Sequence, residues 1–199
     1  MWLPANPPMY LSPNWTGPAV TASSRVIVLA SGRFRIPMAP TKGANQATEA
    51  YWVGVGGFRK PYNLCQAGAA DTRVNGQFVP GLIAQDYPSP FKVVTQGIHI
   101  GDWIQVEAGL VNGRYEARVT DITSRVTLAV GCRPGPWQHA EWIAESHLNE
   151  TGQAVLRGAP VFFRGMAVQT KRPTHFHWSM YMGPAAQPFL KRGVAIIRF

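Results

Sequence analysis

The chain has 199 residues and a mass of 21.8 kDa, with 46% hydrophobic and 15% charged residues, enough to bury a core as a single domain. Nineteen basic side chains against ten acidic ones give a formal charge of +9. That balance excludes an acidic solvating tail and confines carboxylate chemistry to Glu49, Asp71, Asp86, Asp102, Glu107, Glu116, Asp121, Glu141, Glu145 and Glu150.

Residues 1–13, MWLPANPPMYLSP, read as a proline-rich N-terminal arm, and residues 14–199 as one all-β domain. Twenty glycines and 17 prolines punctuate short runs rich in Val, Ile, Thr and aromatics. Those runs predict strands, in order, at Arg25–Leu29, Gly32–Pro37, Ala50–Val55, Tyr62–Ala69 and Gln77–Gln85. Further strands are expected at Trp103–Leu110, Arg114–Asp121, Thr127–Val130, Ala140–Ser146, Ala154–Leu156, Val161–Gln169, His177–Met182 and Gly193–Phe199. Period-two alternation is clearest in Trp103–Ala108 and Tyr115–Val119, and Asn112-Gly113 between them is a two-residue hairpin signal. Gly101-Asp102 marks a second turn. No helical period extends beyond one or two turns, so the pattern predicts a β-sandwich or barrel. No apolar run approaches the ~18 residues of a membrane helix, and no signal peptide is visible. Cys65 and Cys132 permit at most one internal disulfide and no CxxC motif; the residues leave open whether they join.

Several motifs fall short of a specific chemistry. Gly54-Val55-Gly56-Gly57 is followed by Phe58-Arg59-Lys60-Pro61 and a strand, not by the helix that a phosphate loop opens. His175 and His177 share one strand face, but His99, His139 and His147 add no third ligand at convincing spacing, so no metal is expected. The basic residues are scattered, and Arg33-Phe34-Arg35 fits simple strand alternation, so no specific nucleic-acid partner is expected. No G-x-S-x-G elbow occurs. Two polar placements remain. Glu141 and Glu145 share one face of an apolar strand, and Gln66 sits in Leu64–Ala69; each needs a partner or solvent.

These residues belong to an ordered set. Asn14-Trp15-Thr16-Gly17-Pro18-Ala19 is similar to the Asn-Trp-x-Gly-x-Ala, and Ser31-Gly32-Arg33-Phe34-Arg35-Ile36-Pro37 to the Ser-Gly-x-Phe-x-Val-Pro, of the eqolisin-type glutamic peptidases (peptidase family G1). These are acid-acting fungal endopeptidases with bacterial relatives. Trp52-Val53-Gly54-Val55 resembles their Trp-Val-Gly-Ile, and Gln66-Ala67-Gly68 their Gln-x-Gly at the same distance. Tyr87-Pro88 resembles the end of Glu-Trp-Tyr-Pro, Gly101-Asp102-Trp103-Ile104 the Gly-Asp-x-Ile, and Ala140–Glu145 the Ala-Glu-Trp/Phe-Ile-x-Glu. Residues 1–13 and roughly 171–199 lie outside the likeness.

The resemblance implies a two-sheet antiparallel β-sandwich, concanavalin A-like or jelly-roll-like, with Gln66 and Glu145 side by side in a cleft. It implies an endopeptidase in which Glu145 is general base and then acid for an attacking water, and Gln66 stabilises the oxyanion. Trp15, Trp52, Gln85, Tyr87 and Glu141 are the implied substrate-binding residues. No cofactor or metal is needed, the partner is a polypeptide substrate, and a secreted monomer is expected. Three departures stand out: Gly56 replaces an aspartate, Gln85-Asp86 replaces Glu-Trp, and neither cysteine matches the family's disulfide positions. Fewer acids around Glu145 imply less like-charge repulsion and activity at higher pH than the acidic relatives. The competing readings are a catalytically weakened β-sandwich module that binds peptide or glycan, and a basic nucleic-acid or envelope-binding protein. Retention of both Gln66 and Glu145 favours the peptidase.

Overall fold

The computed structural model describes residues 7–38, 48–58, 62–74, 77–146, 161–182, 187–191 and 194–198. Among these residues the chain forms only strands, arranged in two sheets. The first sheet has the order β1 (Met9–Leu11), β13 (Phe176–Met182), β2 (Trp15–Ala22), β11 (His139–Ser146), β4 (Thr48–Gly56), β5 (Leu64–Val74), β6 (Gln77–Tyr87) and β7 (Lys92–Val94). The second runs β10 (Val126–Gly131), β9 (Arg114–Asp121), β8 (Trp103–Val111), β3 (Ile27–Arg35), β12 (Val161–Thr170), β15 (Val194–Arg198) and β14 (Gln187–Lys191). Pairing is antiparallel except between β1 and β13. This is the two-sheet sandwich that the alternating runs imply.

The inner faces supply the core. Alternate residues of β4, β5 and β11 point inward, giving Tyr51, Val53, Val55, Ala67, Ala69, Ala140, Trp142 and Ala144, all buried. From the second sheet Phe34, Ile104, Val106, Val119 and Phe163 meet them. Trp142 lies at the centre: its Nε1–H donates to the Ser31 carbonyl of the facing sheet at 2.9 Å, and its ring stacks on Trp178 at 6.1 Å. Cys65 of β5 and Cys132, just past β10, join in a disulfide with Cα atoms 5.8 Å apart. The pairing that the residues left open therefore forms and ties one sheet to the other. Closing a loop of 67 residues contributes about 4 kcal/mol in the chain-entropy model.

The hairpin at Asn112-Gly113 has both residues at positive φ (48° and 80°), as its sequence predicts. Other expectations shift. Arg25–Leu29 and Gly32–Pro37 are one strand, β3, because Gly32 leaves room for the Trp142 ring and does not break the strand; a Cβ there would lie 3.0 Å from the ring. β2 was hidden by Gly17-Pro18, which resembles a turn. In the fold Gly17 (φ 148°) lets β2 approach β11 so closely that a Cβ would lie 2.0 Å from the Trp142 carbonyl oxygen. β7 is short and follows Pro90, and β14 contains Pro188, which masks the signal of each. Met9–Leu11 of the N-terminal arm pairs with β13. The strand expected at Ala154–Leu156 lies outside the described residues.

Candidate active site

Directly paired residues of antiparallel strands share a face, so the outer face of the first sheet can be read as rows. One row carries Glu141, Gly54, Gln66 and Gln85 across β11, β4, β5 and β6. The next carries Ile143, Trp52, Gly68 and Ile83. A third carries Trp15, Glu145, Ala50 and Ala70. Gln66 and Glu145 thus arise two strands and two rows apart, yet both line one cavity of about 780 Å³. Small residues at Ala50, Gly57, Ala70 and Gly81 line it between them. Gly54 and Gly68 serve close packing within the sheet: at Gly68 a Cβ would lie 1.9 Å from the Tyr51 carbonyl oxygen, and at Gly54 it would meet Leu64, Glu141 and Trp52. Trp15, Gln85 and Tyr87 line the same cavity, together with an apolar wall from Leu64, Ile83, Phe91 and Val93.

Glu145 is held at both oxygens. Asn14 Nδ2 donates to Oε1 and Trp52 Nε1 donates to Oε2, each at 2.9 Å. Trp52 itself is buried, packed with Leu64 and Ile143, and Trp15 meets it edge-on at 5.2 Å between centroids. Asn14 is placed by the turn before β2: Ser12 Oγ accepts the Trp15 N–H at 3.0 Å, and the Asn14 carbonyl accepts Ser146 N–H at 3.0 Å. Both donors to the carboxylate are neutral, so Glu145 is oriented at both oxygens without an ion pair.

Gln66 is 5% exposed and Gln85 6%. Gln85 Nε2 donates to the Ser89 carbonyl at 2.7 Å, which turns its Oε1 toward Gln66, whose Nε2 donates to it at 2.6 Å. A carbonyl oxygen only accepts, so this chain sets the orientation of both amides. Gln66 keeps one N–H and an unpartnered Oε1. Arg133, next to Cys132, braces the end of this row: it donates to Asp86 Oδ2 (3.0 Å), Asn63 Oδ1 (2.8 Å) and the Tyr87 carbonyl (2.7 Å).

Glu141 does not line the cavity. It is fully buried beside Gly54, neither oxygen has a partner, and burial pushes its pKa well above the usual carboxylate range. A neutral acid is thus the form this place tolerates. An aromatic cluster of Trp15, Phe58 and Tyr181 packs on this side of the face, with centroids 5.1–6.4 Å apart. Burial first, then the charges of Glu141 and Tyr10, push Tyr181 up to about 12. On the inner face Glu49 lies opposite Asp71, and Tyr51 Oη donates to Glu49 at 2.6 Å. Burial raises both carboxyls to about 7.

Asn14, Ser89 and Arg133 were not singled out in the sequence for these contacts. Adjacency was the one available signal: Asn14 precedes Trp15, and Arg133 follows Cys132. Among the described residues no group of three or more His, Cys, Asp or Glu is placed to hold a metal ion.

The model of the Peptidase A4 family matches residues 13–173. The crystal structure of scytalido-glutamic peptidase with a transition state analog inhibitor is 18% identical, with a TM-score of 0.73 over 94% of this chain and 98% of that one. SCP-B, a member of the eqolisin family in complex with the tripeptide Ala-Ile-His, gives 18% and 0.67 over the same shares. Aspergilloglutamic peptidase from Aspergillus niger gives 18% and 0.58 over 76% of this chain and 98% of that chain. No curated protein sequence matches the chain.

Proposed function

Because the chain belongs to the Peptidase A4 family, the eqolisins, and is a hydrolase of the glutamic-peptidase type, we propose that Glu145 and Gln66 form its catalytic dyad in peptide-bond hydrolysis. Ionised Glu145 takes a proton from a water that attacks the scissile carbonyl. The free N–H of Gln66 donates to the oxygen that becomes negative, a contribution of ~3 kcal/mol for one such donor elsewhere. Protonated Glu145 then returns the proton to the leaving amine. The step needs no covalent intermediate. The observation that carries this reading is that Glu145 is held by two neutral donors while Gln66, its amide orientation set by Gln85, faces the same cavity.

Trp15, Gln85 and Tyr87 line the cavity and serve as substrate contacts in this reading. Trp52 acts through Glu145, and Glu141 lies beneath the face as a neutral support. Among the described lining residues Glu145 is the sole carboxyl group, which supports activity at higher pH than in acid-acting relatives. The disulfide supports a secreted protein, since such bonds persist in oxidising compartments. No helix among the described residues is long and apolar enough to cross a membrane.

The test is digestion of a casein-type substrate across pH 2–8 by the wild type, Gln66→Ala and Glu145→Gln. Gln66→Ala is expected to lower kcat by about 10²–10³-fold, as for other oxyanion donors. Full hydrolysis by Glu145→Gln would sink the mechanism.

A further inference from the structure

The second sheet carries a feature that peptide hydrolysis does not use. On its outer face a groove of about 640 Å³ is lined by Arg33, Arg164, Trp103, Gln105, Ile122 and Thr123. Arg35 stands directly opposite Trp103 across the β3–β8 pair, and Arg33 opposite Gln105. The guanidinium carbons of Arg35 and Arg164 lie 5.7 and 5.6 Å from the Trp103 ring centroid. Arg33 Nε donates to Gln105 Oε1 at 3.1 Å, and Arg35 Nε donates to the Gly101 carbonyl at 2.7 Å. The β12 strand bulges after Arg164, at Gly165 (φ 59°), where its register with β3 shifts and the groove opens.

All three arginines are exposed, and none has a carboxylate partner among the described residues. No acid lines the groove; on this face Glu107 lies one row farther, opposite Ser31 and Arg118, and Glu116 pairs with Arg118. Neutral contacts from Trp103, Gln105 and Gly101 thus hold three guanidinium groups in fixed places with their outer N–H donors unused. Holding flexible side chains in one geometry costs entropy that a neutral surface does not recover. The arrangement makes sense as a preorganised receptor for anions.

The geometry points to a docking site for an acidic stretch of extended polypeptide. Arg33 and Arg35 are two residues apart on one strand face, about 6.7 Å at the usual rise per residue. Alternate side chains of an extended peptide repeat at that same spacing, so carboxylates at alternate positions match the arginines in step. Proteins that bind single-stranded nucleic acid add to a basic groove open aromatic faces on which bases stack. Here the Trp103 ring already carries two guanidinium groups. The site lies on the sheet opposite the cavity, so it holds a segment of a polypeptide away from the bond under attack. The proposal does not depend on the roles of Gln66 and Glu145.

The test is fluorescence anisotropy at pH 6 and low salt with a labelled (Glu-Ser) repeat peptide, in the presence of the full chain. Arg33→Gln/Arg35→Gln and, separately, Arg164→Gln are expected to weaken binding at least tenfold, with hydrolysis of a neutral peptide unchanged. The control Arg25→Gln/Lys92→Gln removes the same charge elsewhere and is expected to bind like the wild type. An equal loss in the control, or no loss in the groove variants, overturns the proposal. So does tighter binding of single-stranded DNA or a sulfated polysaccharide of equal charge.

Discussion

The Glu49–Asp71 pair makes the stability of this fold depend on pH in a stated direction. Both side chains are fully buried, directly opposed across β4 and β5, and short of partners: Glu49 Oε1 and both Asp71 oxygens accept nothing. Burial raises Glu49 from 4.5 to about 7, helped by Asp71 and opposed by the Tyr51 hydrogen bond, and raises Asp71 from 3.8 to about 7. A raised carboxyl pKa means that the folded chain binds its proton more tightly than the unfolded chain does. Stability is therefore fully present below about pH 4 and is lost as pH climbs through 7. At 1.36 kcal/mol per unit, the loss is about 3 kcal/mol from Glu49 and about 4 kcal/mol from Asp71. Glu141, raised in the same direction by burial, adds to it. Against total stabilities of about 5–15 kcal/mol, this is enough to unfold a marginal domain at neutral pH.

The assay is urea unfolding followed by tryptophan fluorescence at half-unit steps from pH 4 to 8, for the wild type and Asp71→Asn. The wild-type midpoint is expected to fall steadily across that range. Asp71→Asn removes one of three titrations and a minor charge contribution to Glu49, so its slope is expected to be about a third shallower than that of the wild type. A wild-type midpoint that is flat or rises between pH 4 and 7 would refute the reasoning. So would an Asp71→Asn slope equal to that of the wild type.

Two further predictions concern the cavity. Trp52→Phe keeps an aromatic side chain, smaller than the indole, and deletes the N–H that donates to Glu145 Oε2. A hydrogen bond to a charged group is worth about 1.5–3 kcal/mol, so kcat is expected to fall at least tenfold with KM nearly unchanged; an unaltered kcat counts against the positioning of Glu145 by Trp52. Gln85→Glu places a titrating group between Gln66 and the Ser89 carbonyl. Protonated, it reproduces both hydrogen bonds. Ionised, it opposes the Ser89 oxygen with no donor, so kcat/KM is expected to drop about tenfold more than in the wild type on the alkaline side. Superimposable pH profiles for the two proteins would discard the amide relay.

The parts of the fold legible in the sequence are those with local periodic signals. β8 and β9 alternate cleanly and are joined by Asn112-Gly113, so they were readable without tertiary context. β2 and the middle of β3 were not, because Gly17 and Gly32 serve close contacts with Trp142 in a distant strand. The candidate site divides the same way. Gln66 and Glu145 are marked by motifs in chain order, and strand phase placed Glu141 and Glu145 on one face. The same phase argument asked for a partner or solvent for each acid. Glu145 has two partners; Glu141 has none, and its burial favours the neutral form, which is less costly to leave unpaired than a carboxylate. Nothing local pairs Glu49 with Asp71 or Cys65 with Cys132, since each pairing exists only in the register of the sheets.

The excess of basic over acidic residues acquires a specific meaning from these placements. Of the ten acids, three (Glu49, Asp71 and Glu141) are buried and favoured as neutral groups, so at mildly acidic pH they contribute no negative charge. The folded chain is then still more cationic than its formal +9, and self-repulsion grows as the remaining acids protonate. Buried carboxyls weaken the fold from the alkaline side, and surface repulsion weakens it from the acid side. The cross-sheet bond between Cys65 and Cys132 resists both, because it limits the unfolded chain whatever the pH. Its position next to Gln66, with Arg133 bracing Asn63, Asp86 and the Tyr87 carbonyl, concentrates that resistance at the side of the cavity proposed to stabilise the oxyanion. That is the side where an amide must stay fixed to a few tenths of an ångström to be useful. Glu145, on the opposite side, is held by single hydrogen bonds from Asn14 and Trp52, and in the proposed mechanism it changes protonation state in every cycle.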